Sequence, residues 1–166
     1  MTEFEKIYCD YYLDVYKYIY RLSGDESIAE EITCETFFKS MQAIKHFRGD
    51  CDIRVWLCQI AKNCYYTYIK KAGKTFSTED ETLAEVVSDV HVEEKTIQRD
   101  EAMRIRRELH KIPEPYKEVF MWRVFAEMSF KQIGAVFGKT ENWACVTYHR
   151  AKNMIKTRME AEDRDE

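Results

Sequence analysis

The stretch Ser129-Phe-Lys-Gln-Ile-Gly-Ala-Val-Phe-Gly-Lys-Thr-Glu-Asn-Trp-Ala-Cys-Val-Thr-Tyr-His-Arg-Ala-Lys152 decides how the rest of the chain is read. Ile133, Val136 and Phe137 give a first short helix a buried side, and Gly134 and Ala135 are small where two helices must approach closely. Gly138 supplies a flexible turn residue just past the helix end. Thr140 can cap the next helix through its hydroxyl, with Glu141 favoured in the first turn. At about 100° per residue, Ala144, Tyr148, Ala151 and Ile155 fall on one stripe of that second helix. Asn142, Val146, His149, Arg150 and Asn153 fall on the opposite side. Turn, cap and both faces agree with a helix-turn-helix whose second helix carries DNA-reading side chains. The alternative is an ordinary helical hairpin with a solvated polar face.

Working outward, 166 residues allow one or two small domains. Apolar residues make up 45% of the chain and aromatics 14%, enough for cores, while only 5 Gly and 2 Pro interrupt long periodic stretches. That combination predicts an all-α protein. No apolar run approaches a membrane span, and the start Met1-Thr-Glu-Phe-Glu5 does not read as a signal peptide. The expected location is the cytoplasm, with no direct membrane insertion. Six cysteines (Cys9, Cys34, Cys51, Cys58, Cys64 and Cys145) form no CxxC pair and no Cys/His cluster with zinc spacing. In a reducing compartment they read as small hydrophobes.

The net charge of −4 is unusual for a nucleic-acid binder, but its distribution is not. Residues 129–158 carry Lys131, Lys139, Arg150, Lys152, Lys156 and Arg158 against Glu141 alone, a local charge of +5. Residues 73–98 carry Lys74 and Lys95 against Glu79, Asp80, Glu81, Glu85, Asp89, Glu93 and Glu94, a local charge of −5. The tail 159–166 adds −4. Positive charge is thus gathered where phosphate contacts are needed. An acidic chain overall predicts weak free DNA binding and dependence on a partner.

The periodicity divides the chain into two small helical domains joined by a flexible acidic linker: 1–72, a linker at 73–95, a C-terminal domain at 96–160 and an acidic tail at 161–166. A first helix over about 3–22 places Phe4, Ile7, Tyr11, Val15, Tyr18 and Leu22 on one face. A second over about 25–47 opens with Ser27 and Glu30 as a capping box and carries Ile28, Ile32, Phe37, Met41 and Ile44. After the break at Arg48-Gly49-Asp50, a third over about 52–71 turns Ile53, Trp56, Leu57, Ile60, Ala61, Cys64 and Tyr68 inward. Beyond the linker, helices are expected over about 97–111 and, after Pro113 and Pro115, through Val119, Phe120, Trp122, Val124 and Phe125 to Glu127.

No catalytic constellation is visible. His46, His91, His110 and His149 are scattered, and there is no HExxH pattern, GxSxG elbow or phosphate-cradling glycine loop. The chain reads as a binder without a cofactor rather than an enzyme. The loop Phe47-Arg48-Gly49-Asp50-Cys51-Asp52 precedes a helix carrying Trp56, Asn63, Tyr65, Tyr66 and Tyr68 with Lys62, Lys70 and Lys71. Aromatics and amides beside cations suit single-stranded DNA, whose exposed bases stack and hydrogen-bond. The alternative is that these aromatics are core.

With both halves in view, the chain resembles a bacterial RNA polymerase sigma factor of the extracytoplasmic-function group over nearly its full length. Glu31-Ile-Thr-Cys-Glu-Thr-Phe37 looks like the polymerase-binding segment of that family. Phe47 to Asn63 looks like its promoter-melting segment. Leu109-His-Lys-Ile-Pro113 and Gly138 to Lys152 look like its second domain. The resemblance implies that Glu31, Ile32, Cys34, Glu35 and Phe37 dock on the clamp helices of the largest subunit of core RNA polymerase, with a further contact to the flap of the second largest. It implies that Phe47, Arg48, Gly49, Asp50, Cys51, Asp52 and Ile53, with Lys62 and Asn63, recognise the −10 element of promoter DNA. A non-template base is flipped into a pocket there, opening the duplex without ATP. The helix capped by Thr140 is implied to enter the major groove at the −35 element through Asn142, Trp143, Cys145, Val146, His149 and Arg150, with Arg123 and Lys152 on phosphate. The acidic linker is implied to thread through the polymerase, and an anti-sigma factor to hold the protein inactive until a stress releases it.

Three positions depart from the family pattern. Cys34 stands where glutamine is usual, and Cys145 and Val146 stand where basic or hydroxylic residues are common, which points to apolar or shape-based readout. The competing reading is a stand-alone helix-turn-helix transcriptional regulator. It predicts a sensor or phospho-acceptor in the N-terminal half and a dimer interface, and neither is evident.

Overall fold

The computed structural model describes residues 1–49, 51–72 and 93–165, and for residues 93–99 only the backbone. Among these there are seven α-helices and no strand: α1 (Glu3–Ser23), α2 (Glu26–Ala43), α3 (Ile53–Lys71), α4 (Glu93–Leu109), α5 (Tyr116–Val124), α6 (Phe130–Phe137) and α7 (Glu141–Asp165), with one 3-10 turn at Ile44–His46. Helices α1, α2 and α3 pack on one another, and α7 packs against α4, α5 and α6. The all-α expectation holds. Most of the expected linker, 73–92, lies outside the described residues, and α4 begins at Glu93 rather than near Ile97.

Local chemistry fixes the helix starts. Thr2 and Glu5 close a reciprocal box at α1: Thr2 Oγ1 accepts from the Glu5 N–H at 3.1 Å, and the Thr2 N–H donates to Glu5 Oε2 at 2.7 Å. The box expected from Ser27 and Glu30 does not form. Asp25 is extended at φ −134°, and its carboxylate accepts from the Ile28 N–H at 3.1 Å, so α2 starts one residue later and Ser27 lies exposed within its first turn. The helix also ends earlier than expected, at Ala43.

The interior of α2 differs from its apolar pattern. Ala29, Ile32, Thr33, Thr36, Phe37 and Ser40 are buried, while Met41, expected inside, is 48% exposed. Three hydroxyls are tolerated there because each donates to a backbone carbonyl of its own helix: Thr33 to Ala29 at 2.6 Å, Thr36 to Ile32 at 2.7 Å and Ser40 to Phe37 at 2.9 Å. Masked in this way, hydroxyl residues let α1 and α3 come close to α2 without burying an unsatisfied polar group.

The C-terminal bundle is built around α7. Ala144, Ala151 and Ile155 are buried as their spacing predicts, joined by Thr147, while Tyr148 is partly buried between the rings of Phe130 (5.6 Å) and Phe120 (6.0 Å). Gly134 lies where α6 meets the start of α7, and a Cβ there would sit 2.7 Å from the Thr140 carbonyl oxygen and 2.9 Å from that of Lys139. Its neighbour Ala135, expected at the same approach, is exposed. The helix α7 continues through the expected acidic tail. Asp163 pairs with Arg104 at 2.7 Å, and Glu162 lies 3.5 Å from Arg107. The two bundles share one buried core, met at Tyr18 and Trp122, whose rings stack 5.5 Å apart at 22°.

Two outcomes follow for stability. Asp25→Ala should lower the unfolding free energy by about 1 kcal/mol, whereas Ser27→Ala should stay within about 0.5 kcal/mol of the parent; urea titration of both variants measures the contrast. Gly134→Ala gains helix propensity but drives a methyl group onto two backbone oxygens that cannot step aside. A net loss of about 1–2 kcal/mol is expected in the same assay, and a stabilised variant would refute the close approach.

Candidate nucleic-acid interface

The helix-turn-helix is assembled from short-range hydrogen bonds. Ser129 Oγ accepts from the Gln132 N–H at 3.1 Å and Gln132 Oε1 accepts from the Ser129 N–H at 3.0 Å, a capping box that starts α6. The sequence reading passed over it, although the Ser-x-x-Gln spacing signals it. Gly138 ends α6 in the left-handed conformation, φ 66°, where a side chain would be strained. Thr140 Oγ1 then accepts from the Trp143 N–H at 3.0 Å, so the expected cap is present. The partial positive charge of a helix N-terminus therefore emerges next to the turn.

From that turn, Asn142, Val146, His149, Arg150 and Lys152 are all exposed on α7. Val146 is 39% exposed, unusual for a branched apolar residue flanked by charged and polar groups. Trp143 and Cys145 are partly buried, the indole lying 5.3 Å from the Phe137 ring. Trp143 thus braces the turn. Arg123, expected on phosphate, is engaged within the protein: its guanidinium sits 4.1 Å over the Phe130 ring and donates to the Met128 carbonyl at 3.0 Å. It fixes the entry into α6.

In the N-terminal bundle, the Phe47 ring lies 4.9 Å from that of Trp56, both partly buried. Arg48 and Gly49 are exposed, Asp50 lies outside the described residues, and Cys51 and Ile53 are partly buried. Asp52 is exposed and caps α3, accepting from the Arg54 N–H at 2.8 Å. Further along α3, Asn63 is exposed. Lys62 is not at solvent: its side chain is 16% exposed, its ammonium donates to Glu118 Oε1 at 2.5 Å, and it lies 5.6 Å from the centre of the Trp122 ring. Of the aromatics on α3, Tyr65 is core, and burial holds its hydroxyl proton well above the usual phenol range. Trp56, Tyr66 and Tyr68 are partly buried.

The patch expected on α2 divides in two. Glu31 and Cys34 are exposed, and Glu35 is partly exposed with Lys39 at 3.1 Å. Ile32 and Phe37 are 0% and 3% exposed, so they hold the helix from beneath and cannot themselves meet a partner. What continues the outer stripe is Phe38, 58% exposed, with Met41 beside it. Met41 was missed because an apolar residue on an amphipathic helix is ordinarily assigned to the core, and Phe38 was given no place in the pattern. Beside this stripe on α1, Tyr8, Tyr12, Tyr16 and Tyr20 form a run of ring contacts of 5.2–6.3 Å, and Tyr8 meets Phe37 edge-on at 5.1 Å.

All six cysteines are free thiols. Cys58 is buried, which pushes its thiol up to about 12 and leaves it protonated and unreactive at neutral pH. Among the described residues, no group of three or more His, Cys, Asp or Glu side chains is placed to hold a metal ion, and no helix is long and apolar enough to cross a membrane.

These faces coincide with the matches to known proteins. Residues 7–75 match the family model for sigma-70 region 2 and residues 102–155 that for sigma-70 region 4, together about three quarters of the chain. The chain is 29% identical over 164 residues to the RNA polymerase sigma factor YlaC of Bacillus subtilis, covering 94% of each. It is 24% identical over 153 residues to the extracytoplasmic-function sigma factor SigM of the same organism, covering 92% of each. Its fold is similar to that of CnrH, solved with the cytosolic domain of CnrY (TM-score 0.65, 18% identity, 95% of this chain and 88% of that one). It is also similar to the sigma factor RpoE of Bartonella quintana, solved with the anti-sigma factor NepR (TM-score 0.61, 15% identity, 96% and 98%). Two sigma-70 regions in the expected order, on two helical bundles and with full-length relatives of the same kind, place this chain in the extracytoplasmic-function group of RNA polymerase sigma factors, proteins of transcription initiation.

Proposed function

We propose that this protein binds core RNA polymerase and selects promoters by reading a −35 element as duplex through α7 and a −10 element as a melted strand through the loop before α3. The observation that carries the reading is the division of α7. One face is locked into the core by Ala144, Thr147, Ala151 and Ile155, while Asn142, Val146, His149 and Arg150 stand free beside a tightly capped helix start. Asn142 and Arg150 supply the bidentate groups that read adenine and guanine edges, and Val146 suits a thymine methyl. Lys152 supplies phosphate attraction.

At the −10 end, Phe47, Arg48, Gly49, Asp50, Cys51, Asp52 and Ile53 form the capturing loop, with Asn63 facing the same strand. Stacking and hydrogen bonds to an extruded base offset the cost of unstacking it. Polymerase docking falls to Glu31, Cys34 and Glu35 with Phe38 and Met41 alongside, and Ile32 and Phe37 set the position of that stripe from within. Contact of the C-terminal bundle with the polymerase flap, passage of the acidic linker through the enzyme, and restraint by an anti-sigma factor complete the scheme. The last is supported by the fold shared with RpoE, which was solved with one.

Run-off transcription with purified core enzyme, on DNA from upstream of this protein's own gene, tests the scheme. A discrete transcript dependent on the protein is expected. Duplex binding without core enzyme, and no transcript with it, would favour the stand-alone regulator. Asn142→Ala with Arg150→Ala should cost about 1–3 kcal/mol per lost bidentate contact, roughly 5–150-fold each in promoter selection, with core binding intact. Phe47→Ala with Asn63→Ala should leave −35 binding intact and abolish permanganate-reactive thymines around the start site. Normal strand opening in that variant would overturn the assignment of melting to this loop.

A further inference from the structure

The exposed face of α7 does not stop at Arg150. Asn153 and Thr157 continue the stripe Asn142, Val146 and Arg150 at the spacing of successive turns, and both are exposed. Along this part the helix runs beside the loop between α4 and α5, and the two enclose an open groove of about 490 Å³. Its floor is apolar, made of buried Ile112 with Pro113 and the partly buried Met154. The exposed guanidinium groups of Arg150 and Arg158 mark its two ends. Eight residues of helix, about 12 Å, separate them.

We infer that this groove binds a small amphipathic anion, a carboxylate on an unbranched hydrocarbon chain, and that the bound chain covers the approach of promoter DNA to Arg150. The competition rests on the proposed reading of Arg150 as a −35 residue, and the binding does not. The floor decides against a phosphate strand, whose every unit carries charge, and in favour of methylene groups that leave water on binding. The ends decide the sign of the head group. Around the groove Arg150, Arg158 and Lys111 stand against one carboxylate, that of Glu108. Glu108 is 5% exposed and is engaged by Lys111 at 3.3 Å and by Arg158 at 3.7 Å. It therefore holds the Arg158 guanidinium at the mouth of the groove instead of presenting negative charge to a ligand. A positioned guanidinium suits a carboxylate, whose two oxygens match its fork of N–H donors. Between the arginines, Asn153 and Thr157 add uncharged hydrogen-bonding groups. The volume falls within the range of small-molecule sites, about 300–1,000 Å³. With its head group on Arg158, a chain that follows the floor ends beside Arg150, where a DNA edge and the ligand exclude each other.

Isothermal titration calorimetry of the full chain with sodium decanoate, below micelle-forming concentrations, tests the site. Saturable one-to-one binding is expected. Octanoate, two methylenes shorter, should bind about 4–15-fold more weakly, since each buried methylene contributes about two- to fourfold. Acetate, which lacks the chain, and decyltrimethylammonium, which reverses the charge, should not bind. Arg158→Gln should weaken decanoate binding about fivefold. Thr157→Trp fills the groove from an exposed position and should abolish binding, with unchanged helix content by circular dichroism. In run-off transcription with core polymerase, decanoate should lower the transcript made with the parent, and several-fold more decanoate should be needed with Arg158→Gln. Absence of saturable binding, equal binding of decyltrimethylammonium, or an affinity untouched by both substitutions overturns the site. Binding that meets every expectation while the transcript is unchanged overturns the competition alone. Absence of any transcript without decanoate overturns the proposed function and the competition with it, while calorimetry still decides the site.

Discussion

The ring pair Tyr18–Trp122 is the contact through which two small bundles become one molecule. Each bundle alone is small, and domains of this size are marginal because they bury a limited share of their surface on folding. Stacking two aromatic residues at the junction removes both from water and extends a single core from α1 to α7. Everything else at the junction is arranged around that stack. Lys62 lies against the Trp122 ring, Glu118 meets the lysine, and Arg21 and Arg54 close over the end of α5. The turn that follows α5 is held by these same arginines together with Arg123, so the geometry of α6 is set partly from the other half of the chain.

How far the sequence could be read depended on the range of the interaction. The turn at Gly138, the cap at Thr140 and the inward stripe Ala144, Ala151 and Ile155 are local, recurring within a turn or two of one helix, and all were visible in the spacing. The exposed face of α7 followed from the same periodicity. The interior of α2 was not visible, because Thr33, Thr36 and Ser40 look polar in a sequence and become neutral neighbours only once their protons are given to the helix backbone. With those three positions unrecognised as core, Met41 was counted among the inward apolar residues and Phe38 was given no place, while Ile32 and Phe37 entered the expected docking surface only through the family resemblance. The engagement of Arg123 and Lys62 within the protein was hidden for a related reason. A cation is ordinarily assigned to solvent, and the partners that hold these two, the Phe130 ring and Glu118, come from a different helix in each case.

Charge shows the same contrast between composition and arrangement. The chain is acidic overall, and its last residues looked like a loose anionic tail. In the folded protein Glu162 and Asp163 are matched to Arg107 and Arg104 on α4. Surface pairs of this kind contribute little stability individually, yet they leave the exposed cations Arg150 and Lys152 uncompensated by the nearest run of acids. A net negative protein can thereby keep one positive face, and its attraction to phosphate depends on where its carboxylates are tied down rather than on how many it has.

The length of α7 has a mechanical consequence. Its 25 residues form a single rod of about 37 Å. Asn142 to Arg150 occupy the first few turns, and the last turns are clasped to α4, the helix that directly follows the inter-bundle segment. The end that carries the proposed DNA-reading residues and the end tied to α4 are therefore opposite ends of one rod, packed along its length on α5 and α6. If that face reads DNA as proposed, a pull transmitted through α4 would turn it as a rigid body, so that tension in the chain and alignment in the groove become a single degree of freedom.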